Sequence, residues 1–490
     1  MLRESVAAGL GLLLGLPAAA TDIPTARIER LAEDVRTLAG EDWRGRRAGT
    51  PGGDAAASWI AEEFAELGLA PGVAGSYLQR FSFIEGAQLG SGNRLRVGNQ
   101  KYRPGRDFQP LAFSSSGAAK GEVVFAGYGI SAPAAGYDDF AGVDVHGRVA
   151  LVLRYAPRPG PGPDLSPLSS LKRKAAAARR HGATALLVAT GWRGPGYRDD
   201  LVPFRIDASL EDAGLPVVSV KRSVAEGLFY GSGRSLRDAE REIEEQGTPS
   251  SQPLAVRVEL AADLEPVRAA TQNVIGVIRG RDGGESVVVG AHYDHLGMGG
   301  SGSLERVDAP HPGADDNASG TAAMLELARS LASRPERLRR DVVFIAFGAE
   351  ELGLLGSTHF VENPTLPIAS VVAMANLDMI GRLESGALGI HGVGTSPAWP
   401  ALVEEAARGL DLPLRLHEDG FGPSDHASFL AVGRPVLFFF TGIHSDYHRT
   451  GDTADKVDTV GLARIVALAE RVVERLAVDA VPVPFAGSPR

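Results

Sequence analysis

Residues 344–357 read FIAFGAEELGLLGS and place two adjacent glutamates directly after an apolar run. The run predicts a strand that is buried on both faces. Glu350 and Glu351 follow at its end, where two like charges repel each other unless a cation lies beside them. The stretch therefore predicts one strand of a central sheet and a cation site at the carboxyl end of that strand.

Similar apolar runs flank this stretch and alternate with helical patterns. The predicted strands are NVIGVIRG, SVVVGAHYDH, SVVAMANLDMIGR and RPVLFFFTG, and the predicted helices are SGTAAMLELARSLA, PAWPALVEEAARGL and GLARIVALAERVVERLA. Apolar strands that alternate with helices indicate an α/β fold with a mostly parallel central sheet covered on both faces. In such sheets the ligand site lies beyond the carboxyl ends of the strands.

Composition narrows the class of protein. A chain of 490 residues suggests about three domains, and its 44% apolar content is that of a core-forming protein. The net charge of -10 argues against a nucleic-acid partner. The basic run LKRKAAAARR at 171–180 is interpreted as a solvated helix face. The chain has no cysteine, so any metal must be held by His, Asp and Glu.

The first 20 residues have the plan of a secretory signal peptide: Arg3, a short apolar stretch and Ala18-Ala19-Ala20. Cleavage near Ala20 would export the protein, so we expect a periplasmic or secreted location. No other stretch approaches the length of a membrane span, so we expect no membrane insertion.

The pattern of apolar and polar residues divides the rest of the chain into three segments and a short tail. Residues 21–120 contain two helical patterns and then short strands, and residues 121–262 form a small α/β insert with few histidines or paired carboxylates. Residues 263–480 carry the main α/β pattern, and 481–490 form a C-terminal tail.

Nine of the eleven histidines lie between His292 and His448. Acidic or imidazole groups also follow four of the predicted strands, and two aspartates stand directly before a predicted helix. These residues are His292 with Asp294, Glu350 with Glu351, Asp378, His448, and the pair Asp315 and Asp316. Because the ends of parallel strands meet at one edge of a sheet, we expect these groups to converge.

Each of these residues taken alone also has an ordinary structural explanation. It is their occurrence together that indicates a metal site. His292 is interpreted as a ligand and Asp294 as the carboxylate that orients it. Asp316 alone would be a helix cap. Two divalent cations, however, would balance the carboxylates of Asp316, Glu351 and Asp378 together with one hydroxide, with Asp316 as the shared ligand.

Imidazole and carboxylate ligands without thiolate favour zinc, with manganese or cobalt as alternatives. A nearby carboxylate could then take a proton from the metal-activated water. Tyr447 could be an ordinary packing residue, or its hydroxyl could stabilise a developing oxyanion.

Five motifs occur in the order seen in metallopeptidase family twenty-eight, the co-catalytic zinc exopeptidases that include secreted aminopeptidases: AHYDH, GADDNASG, GAEELGLLGS, NLDMIGR and DYHRTGDT. DWRGRRAGTPGGDAAA is also similar to the N-terminal part of that catalytic domain. The insert resembles a protease-associated domain in YDDFAGVDVHGRVALVLRYAP and KAAAARRHGATALLVAT. The resemblance implies a three-layer zinc-exopeptidase fold, mixed at the edges of its sheet, with this domain inserted.

The resemblance also implies roles for single residues. His292 and Asp378 would bind one zinc, Glu351 and His448 the other, and Asp316 would bridge the two. Glu350 would be the general base for a water activated by two zinc ions, with Asp294 supporting the site and Tyr447 steadying the tetrahedral intermediate. The implied reaction is hydrolysis of the N-terminal peptide bond of a peptide.

Other activities on the same core stay open. A carboxypeptidase or dipeptidase would need a cation for the substrate carboxylate, and Arg382 or Arg449 could supply it. A glutaminyl cyclase would hold a single zinc, and a silent binding domain would have lost ligands. We expect peptides as partners and a monomer or simple homo-oligomer.

Overall fold

The computed structural model describes residues 23–158, 164–192, 198–204, 212–300, 302–383 and 386–487. The predicted signal peptide and part of the predicted C-terminal tail lie outside these residues. No helix in the described residues is long and apolar enough to cross a membrane. The described chain divides into two compact units, the first running up to Phe81 and resuming at Ala270, the second covering Ser82–Ala269.

The helices are α1 Thr25–Leu38, α2 Pro51–Glu66, α3 Leu171–Arg180, α4 Arg222–Leu228, α5 Leu236–Gln246, α6 Gly320–Ala332, α7 Leu355–Glu362, α8 Trp399–Ala407, α9 His426–Ala431 and α10 Thr459–Ala477. The strands are β1 Ala70–Pro71, β2 Leu78–Leu89, β3 Arg94–Val97, β4 Gln100–Tyr102, β5 Phe108–Pro110, β6 Gly117–Phe125, β7 Ser131–Ala132, β8 Tyr137–Asp138, β9 Val149–Leu153, β10 Ala185–Ala189, β11 Val217–Val220, β12 Gln252–Ala262, β13 Leu264–Ile278, β14 Ser286–His292, β15 Asp341–Phe347, β16 Val371–Leu377, β17 Leu388–His391, β18 Leu414–His417 and β19 Val436–Phe440.

The first unit is built on a mixed sheet with the strand order β1-β13-β15-β14-β16-β19-β17-β18. Its four central strands, β15, β14, β16 and β19, run parallel to their neighbours within this group. Antiparallel pairing begins on either side of them, between β13 and β15 and between β17 and β19. The unit is therefore α/β with a mixed sheet, and its parallel strands occupy the centre.

The central strands bury both faces because their residues are apolar throughout. Along β15, Val342, Phe344 and Ala346 belong to one hydrophobic cluster. Val343, Ile345 and Phe347 belong to the cluster on the opposite face. Alternation of side chains along a strand produces this division, and helices α6 and α10 contribute to the first cluster.

Local sequence explains where the flanking helices begin. The Thr50 side chain accepts a hydrogen bond from the Gly53 amide, and Pro51 occupies the first turn of α2. The Asp458 side chain accepts from the Gly461 amide at the start of α10. Helix α6 is rich in alanine and is almost wholly buried.

The second unit contains a sheet with the order β4-β3-β12-β6-β9-β10-β11-β5. This unit begins at Ser82, whereas the sequence placed the insert at 121–262 and assigned the preceding segment to the catalytic domain. The difference arises because β3 pairs with β12 and β5 pairs with β11. Short alternating strands do not reveal which sheet they join, so residues 94–110 could not be assigned from their pattern.

The sequence predicted that the basic residues of helix α3 form a solvated face, but one of its lysines is buried. Lys174 is fully buried and donates hydrogen bonds to the backbone carbonyls of Tyr128, Leu153 and Tyr155. Burial lowers the pKa of Lys174 to about 7. This lysine therefore holds loops of the second unit together from inside.

Candidate metal centre

The carboxyl ends of the parallel strands bring the predicted residues to one edge of the sheet. His292 is the last residue of β14, and Asp378 directly follows β16. Glu350 and Glu351 come just after β15. In the register of the sheet, His292 lies opposite Phe347 of β15. The strand ends are thus level with one another, and their side chains meet.

The first imidazole, His292, faces two carboxylates. Its Nε2 atom lies 3.3 Å from Asp378 Oδ1 and 3.4 Å from Asp316 Oδ1. The second imidazole, His448, also faces two: its Nε2 atom lies 3.3 Å from Asp316 Oδ2 and 3.2 Å from Glu351 Oε2. Asp316 therefore presents one oxygen to each imidazole.

These separations fit bound zinc. Ligand atoms at 2.0–2.1 Å from a tetrahedral ion stand about 3.3 to 3.4 Å from one another. The four distances just given lie between 3.2 and 3.4 Å. The donor set of imidazoles and carboxylates also suits zinc. The residues could hold two ions that share Asp316.

Hydrogen bonds fix both imidazoles with Nε2 turned inward. His292 Nδ1 lies 3.1 Å from the backbone oxygen of Asp294, and His448 Nδ1 lies 2.8 Å from that of Gly302. A carbonyl can only accept, so Nδ1 donates in each case and Nε2 is the nitrogen left to bind a metal.

The carboxylate of Asp294 has a different contact from the one the sequence suggested. Its Oδ1 atom lies 4.0 Å from His292 Nδ1, which is too far for a hydrogen bond. Instead it accepts a 3.0 Å hydrogen bond from the backbone amide of Glu350. The backbone of Asp294 orients His292, and its side chain anchors the segment that carries the two glutamates.

Glu350 and Glu351 point to different partners. Glu351 reaches His448, whereas the Oε2 atom of Glu350 lies 3.9 Å from His292 Nε2, beyond the spacing of the other pairs. Burial raises the pKa of Glu350 well above its ordinary value, and the nearby carboxylates add to this effect while His292 opposes it. A carboxyl group with a raised pKa holds a proton more readily than an ordinary glutamate does, which suits a group that takes up and then releases a proton.

The raised pKa values of the two imidazoles show that negative charge is in excess at this site. Burial works against protonation of His448, but hydrogen bonds to Asp316 and Glu351 raise its pKa to about 10. Burial likewise opposes protonation of His292, yet Glu350 and Asp378 raise its pKa well above the usual value. Buried carboxylates that stabilise positive charge this strongly form a setting suited to divalent cations.

Tyr447 lies beside the second imidazole. Its ring stacks on that of His448 with 3.8 Å between the ring centroids. Burial, followed by the charges of Asp316 and Glu351, raises the pKa of Tyr447. Its hydroxyl therefore keeps its proton and can donate a hydrogen bond near the carboxylates.

Comparison with known proteins places this site in a segment that matches a peptidase family. Residues 273–473 match the profile of Peptidase family M28. This segment is an M28 peptidase domain. The chain is also 29% identical over 372 residues to aminopeptidase YwaD of Bacillus subtilis (strain 168), a match that covers 72% of this chain and 67% of YwaD.

Two further relatives illustrate the extent of the similarity. Leucine aminopeptidase 1 of Coccidioides posadasii (strain C735) is 33% identical over 199 residues, which cover 37% of this chain and 50% of that protein. The fold resembles the crystal structure of BSAP, a zinc aminopeptidase from Bacillus subtilis, with a TM-score of 0.56 and 23% identity over 96% of this chain and all of that one. The chain spans half the length of the fungal relative.

Four buried residues near the candidate metal centre were not singled out from the sequence. They are Arg46, His295, Asp425 and Asp452. Arg46 donates to the backbone carbonyls of Tyr293 and Gly313, which adjoin the ligand-bearing segments. Burial raises the pKa of Asp425 to about 7. Arg46, His295 and Asp452 stand in quoted motifs, but a loop has no periodicity that separates a buried polar residue from an exposed one.

Asp452 holds the backbone of Asp316. Its Oδ2 atom accepts hydrogen bonds of 3.0 Å from the amides of Asp315 and Asp316. Its Oδ1 atom accepts a 3.1 Å hydrogen bond from Arg382. This clamp joins the segment that carries Asp316 to the segment that carries His448.

We expect Asp452→Ala to lower kcat/KM by about 10- to 100-fold, because partners that hold metal ligands contribute at this level. The same change removes one of the two carboxylates that Arg382 contacts and leaves the buried amides of residues 315 and 316 without an acceptor, so it should lower Tm. Asp455→Asn, an exposed change in the same segment, serves as the control and should leave both quantities unchanged. Wild-type kcat/KM in Asp452→Ala would contradict the clamp.

The two arginines considered for a carboxypeptidase are engaged elsewhere. Arg382 contacts both Asp446 and Asp452. Arg449 lies 3.8 Å from Glu305 and donates to the Leu304 carbonyl. These contacts hold the loops of the M28 domain.

Proposed function

We propose that this chain is a zinc-dependent aminopeptidase that hydrolyses the N-terminal peptide bond of peptides. The observation that carries the proposal is Asp316, whose two oxygens face His292 and His448 at spacings suited to zinc ligands. This arrangement suits two ions with one shared ligand. The M28 match and the names of the aminopeptidase relatives support the same activity.

In this proposal His292 and Asp378 would hold one ion, Glu351 and His448 would hold the other, and Asp316 would be a ligand of both. Bound zinc supplies Lewis acidity, which polarises the scissile carbonyl and lowers the pKa of water. Glu350 takes the proton of the attacking water on its carboxylate and delivers it to the nitrogen of the leaving amine. Its raised pKa and its position outside the ligand spacing support this role.

Two further residues would assist. Asp294 fixes the backbone of Glu350 and so sets the direction in which the base points. Tyr447, which keeps its proton, would donate a hydrogen bond to the oxygen that gains negative charge in the transition state. The Asp294 hydrogen bond and the stacking of Tyr447 on His448 both exist before substrate binds, so neither residue has to reorganise.

Charge supports cleavage at the amino end. Six carboxylates surround the centre: Asp294, Asp316, Glu350, Glu351, Asp378 and Asp425. Their charge matches or slightly exceeds that of two divalent ions together with Arg46, depending on the ionisation of Asp425, whose pKa is about 7. A small negative excess attracts a substrate ammonium group and repels a carboxylate. An aminopeptidase fits this balance better than a carboxypeptidase does.

Other features belong to the same proposal. The second unit would be a protease-associated domain inserted into a three-layer zinc-exopeptidase fold. Residues 1–20 would direct the chain to the periplasm or outside the cell. Peptides would be its substrates, and the protein would act as a monomer or simple homo-oligomer.

Hydrolysis of aminoacyl-p-nitroanilides tests the activity. We expect turnover that a chelator abolishes and zinc restores, because the ligands have no substitute for the ion. Matched N-acetylated substrates should be inert, since they lack the ammonium group. Cleavage of the acetylated substrates would reject the aminopeptidase assignment. Metal analysis should give two zinc ions per chain, whereas one would favour a glutaminyl-cyclase-like site.

A further inference from the structure

A third histidine lies against the candidate metal centre. We propose that His295 is a positioning residue that donates its Nδ1 proton to Glu351 and so leaves a single oxygen of that glutamate available to the second ion. This inference rests on the proposed zinc site and adds a residue to it. His295 itself contacts neither substrate nor ion in this proposal.

The distances from His295 to its neighbours are those of a hydrogen-bond donor and not those of a zinc ligand. His295 Nδ1 lies 2.6 Å from Glu351 Oε1, which is a hydrogen-bond distance, and 3.8 Å from Asp316 Oδ2. Two ligands of one tetrahedral zinc ion stand about 3.3 to 3.4 Å apart. His448 meets that spacing to both carboxylates, with values of 3.2 and 3.3 Å. His295 meets it to neither.

The two histidines hold opposite oxygens of one carboxylate. Glu351 Oε1 faces His295, and Glu351 Oε2 faces His448. Rotation of the carboxylate to offer both oxygens to one ion would lengthen the short hydrogen bond at Oε1. The hydrogen bond thus selects binding through Oε2 alone, and it fixes the direction of that ligand.

Burial and packing hold the imidazole of His295 against Glu351. The side chain is fully enclosed, and its Nε2 atom has no hydrogen-bond partner among the described residues. Gly313 packs against it, because a Cβ atom on Gly313 would stand 2.5 Å from His295 Cδ2. The backbone amide of His295 donates to the Arg46 carbonyl. The ring therefore has one polar contact, and that contact is Glu351.

Two substitutions separate hydrogen bonding from packing and from ligation. His295→Asn keeps an N–H donor close to the position of Nδ1, whereas His295→Leu keeps a side chain of moderate size without a donor. We expect His295→Leu to weaken the second zinc by about 10- to 100-fold, with the first zinc unchanged. His295→Asn should remain within about threefold of wild type, because a retained donor restores most of that contribution.

The measurement is a titration of the metal-free full chain with Zn²⁺ against a chromogenic chelator, which resolves two dissociation constants. His359→Leu, on helix α7 and stacked on Phe81, is the control and should match wild type. His448→Leu should lose the second ion altogether.

Equal weakening in the Asn and Leu variants of His295 would contradict the donor role, since packing or ligation would then explain the effect. Wild-type affinity in both variants would also contradict it. The readout needs no peptidase activity, so a chain that binds two ions but cleaves no peptide rejects the proposed function alone. A wild-type chain that binds a single ion rejects both proposals.

Discussion

Glu350→Gln should reduce kcat by about 10²- to 10⁴-fold, the usual contribution of general acid–base catalysis, while the protein still holds two zinc ions. Glutamine keeps the size of the side chain but cannot accept the proton of the attacking water. The metal ligands should be unaffected, because Glu350 stands 3.9 Å from His292 Nε2, beyond the spacing of the ligand pairs. The amide of residue 350 that Asp294 holds is a backbone group and survives the change.

The adjacent glutamate provides the matched comparison. Glu351→Gln should lose zinc as well as activity, because Glu351 contacts His448 and His295. Glu362→Gln, at the exposed end of α7, should change neither. Steady-state kinetics and metal analysis on the three variants separate the base from the ligand. Near-normal kcat in Glu350→Gln would refute its assignment as the base.

The α/β class and the parallel centre of the sheet could be predicted from the sequence. Four strands apolar throughout must be covered on both faces, and only a parallel centre places the residues after each strand at one edge. Helix α10 could also be predicted, because its apolar residues repeat regularly over 19 residues. Strands β3 to β5 could not be placed, since edge pairing depends on partners far along the chain.

For the site, the sequence indicated which residues are near one another but not the direction in which each side chain points. The adjacent Glu350 and Glu351 illustrate this limit. Their order predicts a cation, but only the structure shows Glu351 against His448 and Glu350 turned toward His292. His295 was hidden for a related reason: it directly follows Asp294 in a loop, where neighbouring side chains obey no fixed period.

Asp316→Asn should have the broadest effect, because one carboxylate serves both imidazole sites. Asparagine offers one oxygen in place of two, and its amide nitrogen is a poor metal ligand. We expect zinc content to fall from two ions to one or fewer, and turnover to fall by about a thousandfold or more, since each ion supplies several kcal/mol of transition-state stabilisation. Asp308→Asn, exposed and in the preceding loop, should retain both.

The fold itself should survive this change, and that makes the test decisive. The backbone of residue 316 is held by Asp452, which binds the amides of residues 315 and 316 whatever the side chain is. Replacing one buried carboxylate among several also relieves repulsion when no ion is bound. The Tm of Asp316→Asn in chelator should therefore equal or exceed that of wild type in chelator. Retention of two ions with turnover within tenfold of wild type would show that Asp316 is not shared between them.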